Sequence, residues 1–295
     1  MKNLFLLTLT FAMVQFTFAQ DQTILDGGYN IIDGAYEKNV RNGEIEPEEI
    51  PGYQYVREAD VMWSTKISRV INLREKINQV FYYPQQEIND RKNLIDVLMD
   101  AINEGTITPY ANAYKDDEFK TPMISDAEKA MIGLEGQPVD TIKYYDDELE
   151  EEIEVIVENK FEKENVRKYI IKEEWYFDKQ RSVMDVRIIG ICPLMDTFDQ
   201  ETGEFKAEEY LFWVYFPEAR KVLAKAEVFN HRKNDAARLT YDDVFHKRMF
   251  SSFIIKESNK YNREISEYRK GIDALLEAEA IKEEIFNLEH DLWEY

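Results

Sequence analysis

The stretch YIIKEEWYFDKQRSVMDVRIIGICPL, Tyr169 to Leu194, decides the fold of this chain. Its two halves are rich in β-branched and aromatic residues, which favour strands, and they flank the polar segment DKQR. This composition predicts a β-hairpin whose second strand closes at Pro193.

A third apolar run follows, EYLFWVYFP from Glu209 to Pro217, and it is hydrophobic at almost every position. A strand covered on both faces has this character, whereas a strand open to water on one face alternates between apolar and polar residues. We therefore expect this run at the centre of the sheet.

Two segments before the hairpin have helical periodicity. From Trp63 the apolar residues recur in steps of three and four, at positions 63, 67, 70, 73, 77 and 80 or 81, which predicts an amphipathic helix that ends before Pro84. A second helix is predicted from about Asn89 to Glu104, with Gly105 as its C-terminal stop.

Further helices are predicted after the apolar runs. The segment EARKVLAKAEVF is helical in character, and Thr240 followed by Asp243 has the spacing of a capping box. A long helix is predicted from Ile272 to about Trp293, with Ile281, Ile285, Leu288 and Leu292 on one stripe. The predicted fold class is α+β: a mainly antiparallel sheet packed with amphipathic helices, in a single domain over residues 55–295.

The first residues have the pattern of a secretory signal peptide. Lys2 precedes the uncharged run from Leu4 to Phe18, and small residues precede a cut between Ala19 and Gln20. The alternative, a membrane anchor, is disfavoured because the run is shorter than the roughly 20 residues that a spanning helix needs. Residues 20–54 combine glycines, prolines and an acidic cluster without apolar periodicity, so we expect an extended or partly disordered arm.

Charge and cysteine content exclude several classes of function. Without Lys2 the exported chain has 36 basic against 59 acidic residues, a formal charge of −23. Such a charge repels nucleic acid and anionic lipid surfaces. The single cysteine, Cys192, lies in an apolar run and is expected to be a buried side chain; an intermolecular disulfide is the alternative.

The sequence contains no recognisable cofactor or metal motif. The three histidines have no partner at helical spacing, and the acids of DTFDQETGEFKAEE, from Asp196, lack the register of a calcium loop, so a loop between two strands is expected there. The acidic stretch from Asp146 to Glu154 suits a solvated loop or strand ends, with a functional anionic patch as the alternative. We expect no enzyme and no cofactor; an exported carboxylate-dependent hydrolase is the competing hypothesis.

Five segments of the sequence, taken in order, resemble segments of a known protein family. The chain resembles the gliding-motility N proteins, the GldN/PorN family of the type IX secretion system in Bacteroidota. The similar segments are DVMWSTKISRVINLREKINQVFYYP from Asp60, DDEFKTPM from Asp116, KEEWYFDKQRSVMDVRIIGICP from Lys172, RLTYDDVFHKRMFSSFIIKESN from Arg238 and the C-terminal GIDALLEAEAIKEEIFNLEHDLWEY.

This resemblance implies a periplasmic, non-enzymatic ring subunit. The family's K lipoprotein (GldK/PorK) is the implied partner beneath the outer membrane, and the M protein (GldM/PorM) is the implied link to the inner-membrane motor. Self-association within the ring is also implied. The expected task is to help couple the motor to protein export and, in gliding species, to adhesin movement.

Six aromatic residues are the candidate partner contacts. Phe81, Tyr82 and Tyr83 are consecutive, so they cannot all face one core, and we expect one or two of them to be buried. Aromatic side chains are enriched among the residues that dominate binding. The full set of candidates is Trp63, Phe81, Tyr82, Tyr83, Trp293 and Tyr295.

Overall fold

The predicted hairpin is the largest strand pair of the molecule. Strand β5 (Val166–Asp178) runs antiparallel to β6 (Val183–Phe198), with Tyr169 opposite Pro193. The prediction that Pro193 ends the second strand is wrong, because β6 continues for five more residues. Pro193 still accepts a hydrogen bond from the N–H of Leu211 (3.0 Å). It lies where the partner on one edge of β6 changes from residues 213–215 to residues 205–210, and a residue without an N–H is tolerated at such a break in the pairing.

The structure, a computed structural model, describes residues 50, 52–88, 91–111, 118–123, 162–198, 203–229 and 238–291, and the backbone alone at 139–146 and 151–158. These residues belong to one unit, Ile45–Tyr295. No described helix is long and apolar enough to span a membrane. The predicted signal peptide and nearly all of the predicted arm lie outside the described residues.

Seven of the described strands form one antiparallel sheet around the hairpin. Its order is β11-β1-β5-β6-β8-β2, and β7 pairs with the end of β6. The strands that join the hairpin are β1 (Val61–Asn72), β2 (Pro109–Tyr110), β7 (Phe205–Tyr210), β8 (Trp213–Tyr215) and β11 (Phe253–Glu257). Two separate pairs are β3 (Val139–Asp146) with β4 (Glu151–Glu158), and β9 (Glu227–Val228) with β10 (Leu239–Thr240). The fold class, α+β with a mainly antiparallel sheet, is confirmed.

Five described α-helices accompany the sheet. They are α1 (Leu94–Asn103), α2 (Phe216–Leu223), α3 (Tyr241–His246), α4 (Ile265–Tyr268) and α5 (Ile272–Asp291). The predicted capping box of α3 is present, since Thr240 Oγ1 accepts from the N–H of Asp243 and Asp243 caps Thr240 in return. Gly105 has a positive φ of 73° just after α1, where the helix was expected to stop, and Gly271, just before α5, has a positive φ of 61°.

The helix predicted from Trp63 to the Phe81 region is wrong. Residues 61–72 form β1, and only Lys76–Phe81 is helical, as a 3-10 helix. The five residues from Ile67 to Ile71 are buried in succession, because β1 lies between β11 and β5 and has both faces covered at this point. A doubly covered strand can place apolar residues at any spacing, so the steps of three and four were not evidence of a helix.

The run from Glu209 to Pro217 is not the central strand that we expected. It divides into the end of β7, a break at Leu211 and Phe212, the three-residue strand β8 and the start of α2 at Phe216. Pro217 stands in the first turn of α2, a position that proline favours. The expectation of burial holds from Leu211 to Val214, each at most 5% exposed.

The apolar core lies on both sides of the sheet. One large cluster joins β5 and β6 to α1, α2 and α3, and a second joins β1 and β11 to α4 and α5. A smaller cluster joins Val70, Ile170, Cys192, Leu194 and Trp213 on the other face. Cys192 is fully buried, as expected, and burial raises the pKa of its thiol, so the thiol is held as a packed apolar group.

Candidate functional site

The three consecutive aromatic residues at the end of the 3-10 helix differ in how deeply they are buried. Phe81 is 1% exposed and stacks on Phe245 at 5.2 Å between ring centroids. Tyr82 is half-buried, and Tyr83 is 54% exposed. Phe81 is therefore a core residue and not a surface contact, while Tyr82 and Tyr83 reach the surface, as consecutive residues must when only one direction leads into the core.

A buried asparagine fixes the turn that presents these tyrosines. The side-chain amide of Asn78 donates to the carbonyls of Asn72 (2.8 Å) and Ser251 (2.9 Å), and its Oδ1 accepts from the N–H of Ser251 (2.9 Å). Asn78 is 0% exposed, so these bonds satisfy a polar group that would otherwise be costly to bury. The 3-10 helix is in this way tied to the end of β1 and to the segment before β11.

Tyr82 and Tyr83 line a surface cleft of about 240 Å³ at one end of the sheet. Their rings meet edge to face, with centroids 5.0 Å apart. The other lining residues come from the end of β1, the 3-10 helix and the start of β5: Leu73, Arg74, Gln79 and Arg167. We call this surface the tyrosine–arginine cleft.

A buried carboxylate holds the two arginines of the cleft together. Nη2 of Arg74 lies 3.7 Å and Nη1 of Arg167 3.6 Å from the same oxygen, Oδ2 of Asp196. The Asp196 side chain is 5% exposed, whereas that of Arg74 is 68% exposed. One carboxylate thus faces two guanidinium groups, and the residues that line the cleft include two cations and no acid, on a strongly acidic chain.

Tyr82 completes the cleft at its inner wall. Its hydroxyl donates to the carbonyl of Glu164 at 3.3 Å, and burial, followed by the effects of Tyr83 and Glu164, raises its pKa. It therefore stays neutral at physiological pH. Tyrosine and arginine together are the residues most enriched where proteins bind other proteins, because they combine apolar area with directed hydrogen bonding.

A second charged cluster serves the interior of the molecule. Glu173 is 0% exposed, and its carboxylate lies 3.2 Å from Nε of Arg69 and 2.9 Å from Nη1 of Arg248. The indole N–H of Trp175 also donates to Glu173, at 3.1 Å. Burial lowers the pKa of Arg69, and Glu173 opposes that change. Glu173 thus has two cationic partners and an indole donor beneath α5, an arrangement expected of a structural ion cluster.

Trp63 belongs to this interior region. It is half-buried and packs against the cluster of Ile67, Ile254 and Ile281. The Trp63 ring thus helps to anchor α5 to the sheet. A role of Trp63 as a partner contact stays a prediction.

One described acid has a raised pKa. Burial raises the pKa of Glu257, and the carboxylates of Glu284 and Glu277 raise it further. Glu257 lies on β11, away from the tyrosine–arginine cleft, whose lining residues include no acid. In the described part of the chain no group of three or more acids, histidines or cysteines is arranged to hold a metal ion.

The structure brings together two of the six predicted contact residues, Tyr82 and Tyr83. Trp293, Tyr295 and the predicted cleavage site at Ala19 and Gln20 lie outside the described residues. Sequence reasoning missed Arg74, Arg167 and Asn78, and it considered Asp196 only as part of a loop. Their grouping depends on strand pairing across about 120 residues, which no local pattern reveals; a buried asparagine inside an apolar run was the one available signal.

Two comparisons with known proteins bear on this arrangement. A family model described as "Gliding motility associated protein GldN" matches residues 56–294, which includes every described strand and helix of the sheet domain. A search of the curated proteins found no match.

Proposed function

Because this chain belongs to the GldN family of gliding motility associated proteins, we propose that it is a non-enzymatic structural subunit of the type IX secretion system. It forms a ring complex beneath the outer membrane and helps couple the inner-membrane motor to protein export and to gliding. The single observation that carries the proposal is the family match over residues 56–294.

The proposed location is the periplasm, with attachment to the outer membrane through the K lipoprotein (GldK/PorK). The signal-peptide pattern before Gln20 supports export. The M protein (GldM/PorM) is the proposed link to the motor, and further copies of this chain are proposed neighbours within the ring.

The tyrosine–arginine cleft is the proposed contact with the K lipoprotein. Its Tyr83 side chain is 54% exposed, and Arg74 beside it is 68% exposed, so both can be covered by a partner without changing the fold. Asp196 fixes both arginines from behind, which reduces the entropy lost when a partner orders them.

Co-purification of the two proteins tests this proposal. The unmodified chain is expected to retain the K lipoprotein, and Tyr83→Ala or Arg74→Ala is expected to reduce its affinity at least about tenfold, as removal of a central contact does. Tyr261→Ala is the matched control, because Tyr261 is 60% exposed and lies elsewhere on the surface.

The possible outcomes are distinct. Equal retention by Tyr83→Ala, Arg74→Ala and the control would show that the cleft is not the contact, while leaving the ring role intact. Failure of the unmodified, folded chain to bind the K lipoprotein would overturn the proposed role itself.

A further inference from the structure

The C-terminal helix α5 has apolar residues on two sides. On the inner side Ala278, Ile281 and Ile285 are 6 or 7% exposed and pack against β1, β11 and α4. On the outer side Ile272, Leu275, Leu276 and Phe286 are between 60% and 75% exposed. We call these four residues the outer stripe.

The four residues of the outer stripe lie along one side of the helix. At about 100° per residue its four members fall within an arc of roughly 100°, on the side away from the sheet. Leu276 and Phe286 are ten residues apart, which places them about 15 Å from each other along the helix axis. A helix that is apolar on both sides normally has both sides covered.

The charges around the outer stripe define what can cover it. Glu279 and Glu283 lie within the same arc, between the two leucines and Phe286. The one lysine of α5, Lys282, is already paired with Glu279 at 2.9 Å. The whole helix has seven acids against that lysine, so its apolar outer surface lies in a negative field.

This charge disfavours a second copy of the chain as the occupant. Two α5 helices face to face would bring the same acids together, and like charges across a helix pair are destabilising. A helix that presents lysine or arginine between apolar anchors would instead pair with Glu279 and Glu283 while covering Leu276 and Phe286.

We propose that the outer stripe is the docking site for a basic amphipathic helix of another protein. The partner lies along α5, its apolar residues contact the two leucines and Phe286, and its cations face Glu279 and Glu283. The inner side of α5 is fixed to the sheet, so the site is a rigid platform and little order has to be gained on binding.

Glu257, on β11 beside α5, has its pKa raised by burial and then by Glu284 and Glu277 of the helix. The negative field of α5 is therefore felt on its sheet side as well as around the outer stripe.

The test uses the purified exported chain and a synthetic peptide. The probe is an alanine-rich helix of about 20 residues, long enough to be helical in water. It has leucine anchors spaced to meet Leu276 and Phe286, and lysines between them. The control peptide has glutamates in place of the lysines. Isothermal titration calorimetry is expected to show saturable binding of the basic peptide, weakened by salt, and much weaker binding of the acidic one.

Variants of the chain assign the binding to the outer stripe. Phe286→Ser and Leu276→Ser are each expected to lower the affinity for the basic peptide at least about tenfold, because each removes a large apolar contact. Ile88→Ser is the matched control, since Ile88 is 59% exposed and lies outside α5. Glu279→Gln with Glu283→Gln is expected to reduce both the affinity and its salt dependence.

Several binding results would overturn the inference. They are equal binding by the Phe286→Ser, Leu276→Ser and Ile88→Ser variants, equal affinity for the two peptides, and absence of saturable binding of the basic peptide below about 100 μM. Concentration-dependent dimerisation that Phe286→Ser abolishes would also overturn it, because the occupant would then be a second copy. None of these results bears on binding of the K lipoprotein at the tyrosine–arginine cleft.

Discussion

At the scale of single residues, one buried ion pair is held by a planar, two-point contact. Arg220 donates from Nε and Nη2 to the two carboxylate oxygens of Asp242, at 2.9 and 3.0 Å, and both side chains are less than 10% exposed. The ring of Tyr53 lies 4.9 Å from the guanidinium carbon. This pair joins α2 to α3, and the tyrosine attaches the segment before β1 to the same place.

The negative charge of Glu257 destabilises the folded state. Its pKa in the folded protein is raised above the ordinary value of 4.5, so the folded state binds the proton more tightly than the unfolded state does. Ionisation of Glu257 therefore costs stability at neutral pH. This cost disappears as the pH falls from above the pKa of Glu257 in the folded state to below its pKa in the unfolded state, because the carboxyl group is then protonated in both states.

The first prediction follows from that sign. Glu257→Gln is expected to increase the free energy of unfolding at pH 7, by less than about 1 kcal/mol because the carboxylate is partly exposed and solvent screens it. The gain is expected to vanish below about pH 4, where the wild-type carboxyl group is protonated. Urea titrations at several pH values measure it, with the exposed Glu104→Gln as control; a gain that is constant with pH would contradict the electrostatic explanation.

At the scale of elements, β8 shows how a three-residue strand can matter to the sheet. Trp213 is 5% exposed and packs with Val70, Ile170 and Cys192. The rings of Trp213 and Phe119 meet edge to face, with centroids 5.9 Å apart. Tyr215, on the same strand, is 41% exposed. The strand therefore has two residues in the core, Trp213 and Val214, and one at the surface.

The second prediction concerns this strand. Trp213→Asp is expected to lower the free energy of unfolding by several kcal/mol, about 3–5, because it removes a large apolar side chain and leaves an unpaired charge in its place. Tyr215→Asp, the control on the same strand, is expected to have a clearly smaller effect. Denaturant titration measures both, and equal midpoints for Trp213→Asp and the parent protein would show that Trp213 does not stabilise the sheet.

At the scale of the whole molecule, the chain combines a large acidic excess with localised apolar and cationic surfaces. The formal charge of the full sequence is −22. The tyrosine–arginine cleft and the outer stripe of α5 both differ from this acidic average, each in its own way. The cleft offers positive charge and aromatic area; the stripe offers apolar area in a negative field. Two surfaces of unlike chemistry suit a subunit that binds two different partners at once.

The third prediction concerns processing of the whole chain. Mass spectrometry of the native protein is expected to find Gln20 at its N-terminus, because small residues precede the cut and a short apolar run precedes them. Ala19→Arg is expected to block cleavage, since a large cation replaces the small residue before the cut. Peptides from Leu4 to Phe18 in the mature wild-type protein would contradict the prediction.

The sequence by itself determined those features that depend on neighbouring residues. The β5–β6 hairpin was predictable because strand-forming residues flank a short polar turn, and the start of α3 because Thr240 and Asp243 cap each other within one turn. The fold class and the family resemblance followed from the order of such segments. Gly105 and Gly271 marked helix boundaries because a positive φ is inexpensive only for glycine.

The tertiary structure decided every feature that depends on distant pairing. The segment from Val61 to Asn72 became a strand because β5 and β11 pair with its two edges. Packing on both faces of its middle part cancels the periodicity that separates a strand from a helix. Arg74, Arg167 and Asp196 met because the end of β1, the start of β5 and the end of β6 lie at the same side of the sheet. Burial of an apolar residue depends on what packs over it, and only the folded chain contains that information: this is why Ile281 is covered and Phe286, five residues on, is not.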